Sequence, residues 1–466
     1  MLGRRANHLP NLAKQADRKD APFQVRAGWV GLRDLELPNK MKTTRRSFLG
    51  NCGLLAGVTA AVPGAVLGQG GAKRKRIAFL GTEVRQHSHA QHFLDRLALG
   101  YGWRGAWQEP RTDIASVYID QFPESGDLGR DRVKRYGLKL YPSIEQALTL
   151  GTGKLAVDGV VIIAEHGNYP NNEKGQKLYP RYEWFKRCVK VFEKSGRGVP
   201  VFNDKHLSTT WAHCREMVDD AKRLNFPFFA GSSLPVTRRI PSIDMPHNVP
   251  LKESVCVAYG GVDSYDIHAL ETAQCMSERR RGGEVGIRQV LALRGEKMWA
   301  HLAKPKYADT RRLIVSAYTR SHNLPVEGGY YTGKITFDWA RKTFPNSTAY
   351  FIDHLDGFRT TMLLTGIRDF NYAGIRADTG EIVSTQMYLP MPGHGSTTAD
   401  FFHPLCRHIE DAVITGKVPY PAERTLLTSG MTLAGVESLH RGQIAIETPH
   451  MNVRYSVGPE STYWRD

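Results

Sequence analysis

Two rhythms of apolar and polar positions take turns along this chain from residue 76 onward. Short unbroken apolar runs, Ile77-Ala78-Phe79-Leu80 and Val160-Val161-Ile162-Ile163, read as strands buried on both faces. Between them lie stretches with the 3.6-residue period of helices. The pattern predicts strands over 76–81, 115–120, 157–164, 199–202 and 226–231. Helices are expected over 88–101, 128–136, 143–150, 181–194 and 216–224, so that strand and helix largely alternate. That order implies a parallel sheet with right-handed crossovers, whose ligand crevice lies at the carboxyl ends of its strands. Farther on, the alternations in Ala349–Leu355 and Glu381–Leu389 predict half-buried strands of a mostly antiparallel sheet. Helices over about 401–414 and 423–440 follow. The expected fold class is α/β: a parallel-sheet domain, then an α+β domain with an open-faced sheet through which two copies associate.

Composition narrows the function. The 466 residues, 41% of them apolar, suffice for two cores. A formal charge of +17 suggests nucleic acid, yet residues 1–72 carry 11 of the 63 Lys and Arg and only 4 of the 46 Asp and Glu. The remaining basic groups are scattered, apart from Lys73-Arg74-Lys75-Arg76 and Arg279-Arg280-Arg281. No basic helical stripe or interleaved aromatic pattern joins them, so no nucleic-acid partner is expected.

Thr44-Arg45-Arg46-Ser47-Phe48-Leu49 and the Gly- and Ala-rich apolar stretch after it have the layout of a twin-arginine export signal. Pro63 and several glycines argue against a spanning helix. The expectation is a periplasmic or otherwise exported protein that meets the twin-arginine translocase on the way. Residues 1–40 are polar and aperiodic, which suggests an over-extended start ahead of Met41. The segments expected are therefore 1–40, a signal at 41–72, a first domain at 73–232 and a second at 233–466. Beyond Cys52 the five cysteines (Cys188, Cys214, Cys256, Cys275, Cys406) are odd in number and without CxxC spacing, which indicates neither a disulfide framework nor a zinc site.

Several segments together resemble the Gfo/Idh/MocA oxidoreductases. Tyr118–Leu148, with a strand-ending acid, a helix and then Arg135-Tyr136-Gly137 through Tyr141-Pro142-Ser143-Ile144-Glu145, is similar to the family's second strand and its following tyrosine–glycine segment. Val157–Ala164 matches its next apolar strand, and Val201-Phe202-Asn203-Asp204-Lys205-His206 stands where the family carries Glu-Lys-Pro. The segments after Ala212 and from Phe401 to His440 continue the likeness, over roughly 380 residues. The resemblance implies a Rossmann-like nucleotide-binding domain, an α+β substrate domain, tightly bound NAD or NADP, and hydride transfer on a carbohydrate or polyol.

It also implies site residues. Lys205 corresponds to the catalytic lysine, with Asp204 replacing the family's acid and His206 its proline. Asp266-Ile267-His268 is similar to the second-domain segment that supplies an acid–base residue, which makes Asp266 and His268 candidates beside Lys205. Cofactor contacts are expected from Gly81, Thr82, Asp120, Glu165, His166 and Asp204. Gly81 opens the phosphate loop, but Thr82-Glu83-Val84-Arg85-Gln86 lacks the G-x-G-x-x-G glycines that let backbone approach a pyrophosphate. Asp120 would accept ribose hydroxyls and favour NAD. Glu165–Pro180 is longer than the turn it replaces, and long loops at strand ends usually carry function. His87, His89 and His92, even with His166, lack a second converging ligand cluster, so no metal is expected and hydrogen bonding to phosphate or sugar is. Two alternatives stay open: cleavage of a glycosidic bond through transient oxidation by bound NAD, and a non-catalytic sugar-binding protein on a degenerate scaffold.

Overall fold

The computed structural model describes residues 73–326, 331, 333–390 and 398–465. The arginine pair, the signal and the start at Met41 lie outside the described residues. The first half runs β1 (Lys75–Gly81), α1 (His89–Leu99), a hairpin of β2 (Tyr101–Trp103) and β3 (Ala106–Gln108), β4 (Thr112–Ile119), α2 (Gly129–Arg135) and α3 (Ile144–Thr149). It continues through β5 (Gly159–Ile163), α4 (Arg181–Ser195), β6 (Val201–Asp204), α5 (Trp211–Arg223) and β7 (Phe228–Gly231). The five longer strands form a parallel sheet in the order β4-β1-β5-β6-β7. Its central strands are apolar throughout because both faces are covered. Ala78 and Leu80 of β1 pack with α3, α4 and α5, while Ile77 and Phe79 point the other way, toward α1.

The second half contains β8 (Arg239–Ile240), β9 (Leu251–Tyr259), α6 (Asp266–Ser277), β10 (Ile287–Arg294), α7 (Gly295–Leu302), α8 (Ala308–Thr319) and α9 (Phe337–Thr343). Then come β11 (Thr348–His354), β12 (Arg359–Thr365), β13 (Phe370–Arg376), β14 (Ile382–Met387), α10 (His403–Thr415), α11 (Ala422–His440) and β15 (Ala445–Glu447). An eight-stranded sheet has the order β15-β10-β11-β12-β9-β13-β14-β8, antiparallel except for the β12–β9 pair. The expected α/β class with its two kinds of sheet is what the chain forms.

Among the described residues, the face expected to be open is covered where β9 and β11 lie. Alternate residues of β9 and β11 enter two different cores: Cys256, Ala258, Tyr350 and Ile352 face α6 and α11. Val255, Val257, Ala349 and Phe351 face Trp299, Leu313, Ile314 and Tyr318 of α7 and α8. The stretch between β10 and β11 folds back as a helical cover, so the apolar surface that was to drive association is already buried within one chain. The second half also returns to the first: Leu405, Cys406, Ile409 and Val413 of α10 complete the core against Ile77 and Phe79 of β1. Arg279 and Arg280, part of a basic run in the sequence, are buried, facing Asp244 at 3.5 Å and Glu284 at 3.1 Å respectively, and form no basic surface. All five described cysteines are buried and free.

Candidate functional site

After β1 the chain builds β4 on one side and then crosses to β5 on the other, so the sheet's switch point lies between β1 and β5. A crevice outside the carboxyl ends of the strands is expected there. Gly81 ends β1 where a Cβ would come within 3.1 Å of the Phe79 ring and 3.5 Å of Ala90, so glycine lets α1 press against the strand. The Thr82 hydroxyl turns inward and donates to the Glu165 carbonyl at 2.6 Å, tying the ends of β1 and β5 together. Arg85 pairs with Glu83 at 2.8 Å and donates to His166 Nδ1 at 3.0 Å. Ser88 caps α1 by accepting from the Gln91 N–H, which sets His89 and His92 on the first turn.

Asp120, exposed at the end of β4, accepts hydrogen bonds from the Tyr118 and Tyr169 hydroxyls at 2.8 and 2.5 Å. The 165–180 loop reaches over this edge, with its Asn168 N–H donating to the Gln121 carboxamide at 2.7 Å. The far end of the loop is held by Asp263, which accepts from the Lys177 N–H at 2.8 Å.

A charged cluster lies at the carboxyl ends of β5 and β6. Lys205 has φ of 62°, a left-handed conformation that costs a side-chain-bearing residue energy, and its N–H donates to the Gly231 carbonyl at 3.2 Å. His87 and His166, with φ of 62° and 69°, are bent the same way beside it. The Lys205 ammonium, only 7% exposed as a residue, donates to Glu165 Oε1. Glu165 Oε2 lies 3.3 Å from His89 Nδ1, and Asp204 Oδ2 accepts from that same nitrogen at 2.8 Å. Burial alone would raise both carboxyls. For Glu165 the facing His89, Lys205 and His166 reverse this and hold it well below the usual range, whereas Asp204 stays raised. His206 points elsewhere, toward Arg181 at 3.2 Å, and burial keeps it far below the ordinary imidazole value.

These groups open on a cavity of about 320 Å³ shared by both halves of the chain. His87, His89, His92, Glu165, His166 and Lys205 line one side; Ser233, Tyr265, His268 and Phe370 line the other. Phe402, just ahead of α10, closes it by stacking on His92 at 4.9 Å and standing edge-on to His89 at 5.0 Å. His268 lies 2.5 Å from the Ser232 hydroxyl through Nδ1, and burial, with Lys205 nearby, holds it well below its ordinary value and so neutral. Burial likewise lowers His166 to about 4 and His92 to about 2. A wider depression of about 660 Å³ beside the β2–β3 hairpin, lined by Trp103, Trp107 and Trp464, lies apart from this cluster.

Of the expected site residues, Lys205, Asp204, Glu165, His166 and His268 come together here, and Gly81 and Thr82 lie at the adjoining strand end. Asp120 stands farther along the same edge. Asp266 does not reach the cavity. It is fully buried at the start of α6, accepts from the Asp263 N–H and the Tyr350 hydroxyl, both at 3.0 Å, and burial pushes its carboxyl up to about 7. Its role is to close the first turn of the helix that carries His268. Ser232, Tyr265 and Phe402 had no signature in the sequence. His89 was visible only as one of three histidines. Its partners are 76 and 115 positions away, and only folding brings them together.

No known protein-family model matches this chain, and no curated protein matches it. Among solved structures it is similar to GenD2 from gentamicin A biosynthesis, in complex with NAD, at 14% identity and a TM-score of 0.49, over 81% of this chain and 97% of that one. It is also similar to myo-inositol dehydrogenase from Lactobacillus casei in complex with NAD(H) and myo-inositol, at 11% identity and a TM-score of 0.48, over 84% and 100%. A third is UDP-N-acetylglucosamine 3-dehydrogenase GnnA from Acidithiobacillus ferrooxidans, at 11% identity and 0.44, over 80% and 100%. The chemistry of the site has to come from the chain's own side chains.

Proposed function

We propose that this chain is an oxidoreductase that binds NAD and acts on a hydroxyl of a sugar or polyol held in the cavity. The observation that carries the reading is the buried Lys205–Glu165 pair facing a neutral His268 across a polar and aromatic cavity at the switch point of a parallel sheet. A volume of about 320 Å³ is at the small end of small-molecule sites, which span roughly 300–1,000 Å³. It suits a single sugar ring.

The residues fit a dinucleotide, although by an unusual route. Asp120 already accepts two hydroxyl hydrogens, which is what the paired hydroxyls of a ribose offer. Its charge would also repel a 2′-phosphate, favouring NAD over NADP. α1 has no acidic residue in its first turn, so its amino end favours a pyrophosphate. Glu83 and Gln86 stand where glycines would bare the backbone, leaving the Arg85 guanidinium to meet the phosphates. When bound, the nicotinamide supplies the hydride acceptor.

The chain's own residues do the rest. The Lys205 ammonium has three donors and gives one to Glu165, so another can reach a substrate oxygen and stabilise charge developing on it. With Nδ1–H of His268 donating to Ser232, Nε2 is left to accept the hydroxyl proton. Phe402 and Phe370 line the cavity and give it apolar walls on which a sugar ring can rest. The proposal keeps the exported location, which rests on the arginine pair at 45–46 and the apolar stretch behind it.

The test is to purify the protein natively, denature it and analyse the small molecules released, then follow NAD reduction with a panel of sugars and polyols. About one dinucleotide per chain, or its saturable uptake, together with reduction by at least one polyol is expected. Correctly folded protein that neither holds nor takes up NAD would overturn the reading.

A further inference from the structure

We propose that His89, Glu165 and Asp204 form a binding site for one divalent transition-metal cation at the floor of the cavity. Each offers one ligand atom, and these lie within 4.8 Å of one another. They come from the first turn of α1, the end of β5 and the end of β6, three elements fixed in one core. A metal with M–N of about 2.0–2.1 Å and M–O of about 2.0–2.2 Å sets neighbouring ligand atoms about 3.0 Å apart in octahedral and about 3.4 Å apart in tetrahedral geometry. The two distances from His89 Nδ1, 2.8 Å to Asp204 Oδ2 and 3.3 Å to Glu165 Oε2, each lie within about 0.2 Å of one of those values. The third separation, between the two carboxylate oxygens, is within 4.8 Å, so all three ligand atoms can reach one ion between them.

A second observation points the same way. Glu165 Oε2, on a residue 7% exposed, has no hydrogen-bond partner and is aimed at His89 Nδ1. Asp204 Oδ1, on a residue 1% exposed, is also without one. Leaving buried carboxylate oxygens unbonded is costly unless something else satisfies them. The surroundings fit a metal site. Lys205 holds the other oxygen of Glu165, Thr82 holds the Glu165 carbonyl, and the edge-on Phe402 orients the His89 ring. The ion would take the place of the hydrogen bond between His89 Nδ1 and Asp204 Oδ2 and would satisfy Glu165 Oε2 as well.

One imidazole and two carboxylates suit Mn²⁺, Fe²⁺, Co²⁺ or Zn²⁺ and leave positions open toward the cavity, where a substrate oxygen would be polarised. This site does not depend on the nucleotide. Its occupancy is read without activity, so failure of one reading leaves the other standing.

The experiment uses the folded protein, stripped with a chelator, freed of it by gel filtration and titrated with Co²⁺ or Zn²⁺. About one ion per chain by elemental analysis, with a visible Co²⁺ ligand-field absorption, is expected. His89→Ala and the near-isosteric Asp204→Asn should each weaken Zn²⁺ binding by about 10-fold or more, while His301→Ala, outside the cavity, keeps it. Circular dichroism shows which variants are folded, and Asp204→Asn serves if His89→Ala is not. Less than about one-tenth of an ion per chain, or undiminished binding in a folded Asp204→Asn or His89→Ala protein, overturns the proposal.

Discussion

Replacing Lys205 with methionine keeps most of the side-chain volume and removes one buried positive charge. Were Lys205 an exposed partner of Asp204, the loss would be at most about 1 kcal/mol. The structure argues for much more. Lys205 is 7% exposed, Glu165 also 7%, and the ammonium donates directly to Glu165 Oε1. Removing one member of a buried pair costs about 3–5 kcal/mol, because the other charge stays desolvated and unpaired. Urea unfolding at pH 7.5 should therefore show Lys205→Met destabilised by roughly that amount. Adding Glu165→Gln should recover part of it, with a coupling of at least about 1 kcal/mol in the double-mutant cycle. The deficit should also shrink with acidity. In Lys205→Met the Glu165 carboxyl loses one of the charges that hold it low, so its folded value lies higher than in the parent; on acidification the parent then loses more of the stability of its depressed carboxyl than the variant does. A loss within about 0.5 kcal/mol, equal at pH 5.5 and 7.5, would refute the buried pair and with it the active-site assignment.

Ser232→Ala removes the 2.5 Å contact that orients His268; turnover should fall about 10-fold or more with a displaced pH–rate profile, and an unmoved profile would remove His268 from proton transfer. Gly435→Ala would place a Cβ 2.1 Å from the Tyr350 ring, so a change that normally strengthens a helix should here cost about 1–3 kcal/mol by chemical denaturation. Gly458→Ala, with nothing within 4 Å, should be neutral. Burial lowers His166 to about 4 and His92 to about 2, so both stabilise the fold above pH 6.5 and that contribution is lost as pH falls from 6.5 toward 4. His166→Asn, which tolerates the φ of 69°, should make that loss shallower in a pH series of melting temperatures.

The order and type of the elements were already written in the local pattern. The strands at 76–81 and 157–164 and the helices at 181–194 and 423–440 differ from the observed ones by two residues or fewer at each end. A strand covered on both faces must be a short apolar run, and a helix covered on one must repeat every 3.6 residues, so each announces itself within ten residues or so. Lys205 and Glu165 were singled out by the family resemblance and not by the local pattern; the structure places both among the residues lining the cavity. Contacts between distant residues were not legible in that pattern. The alternation in Ala349–Leu355 was read as a half-buried strand, yet Ala349 and Phe351 are apolar because α7 and α8, which precede them by a helix and more in the sequence, cover them. Asp266 and His268 are two positions apart in sequence, and the helix turns one toward Tyr350 and the other toward the cavity. Local sequence thus determined which segments become strands and helices, because backbone pairing and one-sided burial impose short periods. Tertiary structure alone decided that His89 would meet Glu165 and Asp204 and that α7 and α8 would cover β9 and β11 of the second sheet, because side-chain contacts at long separation leave no period to read.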